Sequence, residues 1–67
     1  MVEKTTRMES HYEVIMEMLK FNKKEITRIL YPREIRMLRK RFKEIEIDVQ
    51  EVYKEPLYKC VIKNLNS

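Results

Sequence analysis

Few side chains in this sequence are equipped for covalent or acid–base chemistry. The nucleophile candidates are Ser10, Thr27 and Cys60, and the one imidazole is His11. Catalysis needs several such groups converging with matched pKa values. Cys60 with His11 is the one combination that could make a thiol activated by a base. Cys60, however, belongs to an alternating run with Tyr58 and Ile62, where a small buried hydrophobe is the simpler role. His11 stands between Ser10 and Tyr12 near a helix start and is expected as a partly exposed surface residue. Glu44 and Glu46 flank Ile45, as charges on a strand face do, and do not form an acid–base dyad. One Cys and one His complete neither a zinc site nor a disulfide within one chain. The expectation is a non-enzymatic protein with no catalytic residues, no metal and no other cofactor.

The strongest chemical signal is cationic. The net charge is +4, but residues 33–43 alone carry +5, against +1 for residues 1–32 and −2 for residues 44–67. Arg33, Arg36, Lys40 and Lys43 step by three, four and three, so on a helix they share one face. Arg39 extends that face, and Ile35, Leu38 and Phe42 fall opposite it. Three roles fit such a ridge. It can contact a phosphate backbone, displacing condensed counterions. It can be a solvated face paired with Glu from neighbouring elements, or it can meet an acidic protein surface. Arg33, Arg36, Arg39, Lys40 and Lys43 are therefore the candidate site for nucleic acid or an acidic partner. Tyr53 and Tyr58 flank a turn and could stack on bases; a cross-strand pair steadying the hairpin is the simpler role.

The elements that must position these groups follow from spacing. Thr6-x-x-Glu9 and Ser10-x-x-Glu13 are capping-box patterns, and Thr6 is the preferred helix start. Met8, Tyr12, Ile15 and Leu19 form a helical stripe that Val14 and Met18 widen. Two continuations stay open at Asn22. The stripe can run on through Asn22, Ile26 and Ile29 as one helix over 6–30. Alternatively, Asn22 can cap a second helix over 23–30. Pro32 ends that region and suits the first turn of a new helix, expected over 32–43. The period then switches to two at Ile45, Ile47 and Val49, shifts phase at Val52, and resumes at Tyr58, Cys60 and Ile62. A hairpin over 44–63 is predicted, with a bulge near Gln50–Glu51 and a turn at Lys54–Leu57. Residues 1–5 and 64–67 are expected as frayed ends of a single small domain spanning 1–67.

The order of helices, a Pro-led basic helix and a hairpin resembles a minimal winged helix-turn-helix. That resemblance implies a basic helix entering the major groove and a hairpin acting as a wing. Here Glu46, Asp48 and Glu51 make the wing acidic, which phosphates would repel. The fold class is thus α+β: two or three N-terminal helices followed by a C-terminal antiparallel hairpin. With 67 residues, 43% apolar and 39% charged, the composition fits a small globular domain and not a disordered chain. Gly, Ala and Trp are absent, which excludes Gly-rich phosphate loops. So small a core, without a disulfide or metal, predicts self-association as a homodimer or docking on another protein. A lone Cys and the absence of a secretory pattern or an apolar span point to the cytoplasm, with no membrane and no small-molecule substrate. The function expected is a small regulatory protein binding nucleic acid, DNA for instance, through residues 33–43. The alternative is a protein-binding modulator of inhibitor or anti-repressor type.

Overall fold

The computed structural model describes residues 7–67; the expected Thr6 cap and the frayed residues 1–5 lie outside them. The elements run α1 (Arg7–Lys20), β1 (Glu25–Leu30), α2 (Pro32–Arg41), β2 (Ile45–Lys54) and β3 (Leu57–Asn64). The strands form one antiparallel sheet in the order β1-β3-β2. Both helices cover one face of it, giving two layers and overall extents of 34 × 32 × 18 Å. The fold is therefore α+β, but residues 25–30 are a strand, not helix.

The break has a clear local cause. Lys23 N–H donates to Met18 O at 2.9 Å and Asn22 N–H to Leu19 O at 3.3 Å. That pair of bonds is the Schellman closure of a helix, and it needs a left-handed residue at the exit. Asn22 supplies it at φ 53°, the conformation that Asn tolerates best after Gly. Asn22 thus closes α1 and does not cap a second helix. The next residues are rich in β-branched side chains, which suit a pleated surface. Ile26, Arg28 and Leu30 pair with Ile62, Cys60 and Tyr58 of β3 and share their inward face. Ile29 pairs with Lys59 and lies on the outer face, apart from Ile26, with which a continuous helical stripe would have grouped it.

The hairpin matches expectation in part: β2 and β3 are adjacent antiparallel strands, but they belong to a three-stranded sheet in which β3 also pairs with β1. β2 and β3 pair from Ile45↔Asn64 to Lys54↔Leu57, and the register slips between Val49 and Glu51, leaving Gln50 as the extra residue. A bulge of this kind keeps Val49 and Val52 on one face, which explains the phase shift in the sequence. A second slip falls between Val52 and Lys54. Asn64, expected in the C-terminal tail, ends β3 and is buried. Its amide donates to Lys23 O at 3.0 Å and its backbone N–H to Lys24 O at 2.8 Å, so it holds the α1–β1 connection against the sheet.

The core between the layers contains Ile15 and Met18 of α1, Leu30 of β1, and Ile35 and Leu38 of α2, with Phe42 just beyond α2. Ile45, Ile47, Cys60 and Ile62 complete it from the sheet. Tyr12 meets Phe42 edge to face at 5.8 Å between ring centroids, a favourable aromatic geometry. Leu19 and Ile26 pack at its margin. Met16, off the main stripe of α1, is exposed.

Candidate functional site

α2 is built to hold one face in and the other out. Pro32 occupies its first turn and Tyr31 is its extended N-cap. Tyr31 N–H donates to Glu34 Oε1 at 2.8 Å, the reach-back half of a capping box. Ile35, Leu38 and then Phe42 face the core. The helix ends at Arg41, because Phe42 is already extended at φ −117°, ψ 118°. Lys43, expected on the last helical turn, therefore lies past the helix.

The five candidate residues nevertheless come together. Arg33, Arg36, Arg39, Lys40 and Lys43, with Met37, line one shallow groove of about 500 Å³, and all five cations are exposed. Their engagements differ. Arg39 donates through Nη2 to Ile47 O at 2.9 Å, so it ties α2 to the outer edge of β2. Arg41, on the same helix, stands over the Tyr12 ring at 5.7 Å, a cation–π contact. Among the described residues, ion pairs join Lys59 to Glu51 and Lys63 to Asp48, and His11 stands beside Glu34. None involves Arg33, Arg36, Lys40 or Lys43. Among the described residues, no Glu from a neighbouring element pairs with these four cations.

The acidic wing is placed where it does not oppose the ridge. Glu46, Asp48 and Glu51 pair in register with Lys63, Val61 and Lys59. These positions alternate with the buried Cys60 and Ile62, so they face away from the helices. Lys59 and Lys63 approach Glu51 and Asp48 at 3.8 Å each, long and exposed contacts that contribute little to stability. The molecule is thus cationic on the outward face of α2 and mildly acidic on its open sheet face, where Glu25, Glu46, Asp48 and Glu51 stand against Lys59 and Lys63. Tyr53 and Tyr58 do not pair across the strands; Tyr58 pairs with Val52 and packs at the core margin, while Tyr53 is 64% exposed.

His11 corrects an expectation. It is buried at 3% exposure, not on the surface. Arg28 Nε donates to His11 Nδ1 at 3.1 Å, which requires a lone pair on Nδ1 and places the imidazole proton on Nε2. Nε2 lies 3.4 Å from Glu34 Oε2. With the Glu34–Tyr31 bond, this chain joins β1, α1 and the start of α2 through one buried polar network. The signal in the sequence was the spacing of His11, Ile15 and Met18, which is the line of α1 that is buried most deeply. Cys60 behaves as expected: it is fully buried, and burial pushes its thiol pKa up, with Arg39 opposing and Asp48 reinforcing the shift. A raised pKa leaves little thiolate, so the group is a poor nucleophile.

Among the described residues, no group of three or more His, Cys, Asp or Glu side chains is placed to hold a metal ion, and no helix is long and apolar enough to cross a membrane. No protein-family model matches this chain, and no curated protein and no solved structure matches it.

Proposed function

We propose that this protein is a small non-enzymatic regulator that binds nucleic acid through the outward face of α2, acting in the cytoplasm. One observation carries the proposal: Arg33, Arg36, Lys40 and Lys43 crowd a single groove with no acidic partner among the described residues, although five acidic residues lie in the following 24 residues. Concentrated, uncompensated cations on a rigid element favour a polyanion, because binding releases condensed counterions.

The sequence of basic helix and then hairpin still resembles a winged helix-turn-helix. A strand, β1, directly precedes α2, so no helix is joined to it by a short turn as in that motif. We infer a backbone contact that is largely independent of base sequence. Candidate base-stacking aromatics are separated, Tyr58 within the protein and Tyr53 alone outside. That separation favours a duplex over single strands, which are held on aromatic platforms.

A titration against duplex and single-stranded nucleic acid at two salt concentrations tests this. Binding should be strongest to duplex at about 50 mM salt and should fall steeply by about 200 mM. Absence of binding to either form at the lower salt would end the nucleic-acid proposal.

A further inference from the structure

A second groove of about 760 Å³ adjoins the first. Met8 of α1, Tyr31, Pro32 and Met37 give it an apolar lining, and Arg33 and Arg36 stand at its edge. Its volume is within the range of about 300–1,000 Å³ typical of binding sites. Tyr31 is 39% exposed and Met37 43%. Exposed methionine is adaptable and recurs at surfaces that accept varied apolar partners. Glu34 also lines the groove, but it is only 5% exposed and is bonded to Tyr31 N–H and set against His11. The charge offered to an occupant is therefore positive.

The two grooves share Arg33, Arg36 and Met37. They form one trough along α2, apolar at the N-terminal end and cationic toward Lys40 and Lys43. Ten helical residues make it about 15 Å long at 1.5 Å per residue. A nucleic-acid backbone accounts for the cationic end and leaves the apolar end unused. An occupant that complements both ends is a peptide segment with an apolar anchor followed by a run of acidic residues. Apolar anchoring in a groove and acidic-motif capture by arginines are both established modes of peptide recognition.

We infer that this trough is the docking site for such an acidic segment of a partner protein, with Tyr31, Pro32 and Met37 taking its apolar anchor. Arg33, Arg36 and Lys40 hold its acidic run. Because the acidic run covers the same cations as the phosphates, the segment displaces nucleic acid; that corollary alone rests on the function proposed above.

The test is selection of a displayed library of random twelve-residue peptides on the full chain, followed by fluorescence anisotropy with the enriched sequences. Enriched peptides should carry Leu, Met or Phe beside several Asp or Glu. Replacing the anchor by Ser should weaken binding at least tenfold. So should Met37→Gln, which removes the apolar contact at unchanged charge, whereas Met37→Leu should retain it. Arg36→Gln with Lys40→Gln should weaken the same peptides. A thermal melt of each variant establishes that the fold is kept. The inference is overturned by failure of any sequence to enrich, by acidic peptides that bind equally without an anchor, or by binding indifferent to Met37→Gln. It is also overturned if sedimentation finds a dimer that Met37→Gln dissociates, since a second copy would then fill the groove. Titration of duplex DNA onto the same preparation separates the two proposals: peptide binding without duplex binding would leave the trough standing and remove the nucleic-acid function.

Discussion

Among single residues, His11 does more than its position near a helix start implies. Its Nδ1 accepts from Arg28 and its Nε2 faces Glu34, so its removal would take an acceptor from Arg28 and leave a void beside the buried Oε2 of Glu34, whose Oε1 keeps its bond from Tyr31 N–H. Leaving a buried polar group without its partner costs about 1–3 kcal/mol. His11→Ala should therefore lower stability by roughly 2 kcal/mol in chemical denaturation; a loss below about 0.5 kcal/mol, the size of ordinary surface changes, would show that the network contributes little. Cys60 gives a pH dependence with a defined sign. Its folded pKa is raised by burial, so its contribution is fully present below the unfolded thiol value of about 8.5. It is lost as pH rises through the folded value, because the unfolded state then binds fewer protons. The stability advantage of the wild type over Cys60→Ala should narrow above about pH 8.5 and stay constant from about pH 6 to 8. A difference that does not change with alkaline pH would contradict the burial effect.

Among the elements, the exit of α1 decides the topology. Asn22 at φ 53° ends the helix and lets residues 25–30 turn back to pair with β3. A residue with a Cβ and no side chain suited to the left-handed region costs about 1–2 kcal/mol there. Asn22→Ala should destabilise by about 1 kcal/mol, and Asn22→Gly should be neutral or mildly stabilising. Thermal melts of the two variants check this; equal destabilisation in both would mean that the Asn22 side chain, and not its backbone conformation, is what the turn needs. The sequence pattern concealed this strand because Arg28 occupies an inward position. The alternation Ile26, Arg28, Leu30 reads as broken until His11 is seen to receive the guanidinium from across the layer.

For the molecule as a whole, charge separation makes the ridge testable apart from folding. Arg36 and Lys40 point away from Ile35, Leu38 and Phe42, so neutralising them to Gln should leave the melting temperature nearly unchanged. Binding to every duplex sequence should weaken alike. The slope of log K against log salt should become shallower by about 0.9 for each phosphate that is no longer neutralised. Weakening confined to particular sequences would indicate base reading instead. Self-association is a separate proposal. The helical stripe of α1 stops at Leu19 and offers no long seam, but β2 is an edge strand whose Val49, Val52 and Tyr53 are 43%, 52% and 64% exposed. Such an edge invites pairing with a second copy. Sedimentation at micromolar concentration should show a dimer that Val52→Lys disrupts; a wild-type monomer would refute it.

Features governed by neighbours a few residues apart were legible in the sequence. Pro32 and the 3–4 spacing of Ile35, Leu38 and Phe42 specify α2 and its cationic face. The period of two specifies the hairpin and its bulge, and the shifted phase at Val52 places that bulge at Gln50. The side chains lining the basic groove could be read for the same reason, since a helix carries its own geometry. Long-range packing decided the rest. Residues 25–30 become a strand because β3 has a free edge to receive them; their β-branched side chains suit that surface but do not by themselves select strand over helix. The burial of His11 depends on Arg28 and Glu34, 17 and 23 residues away along the chain, arriving from two other elements. The apolar groove joins Met8 to Tyr31 and Met37, a juxtaposition that requires α1 and α2 to pack side by side on one sheet.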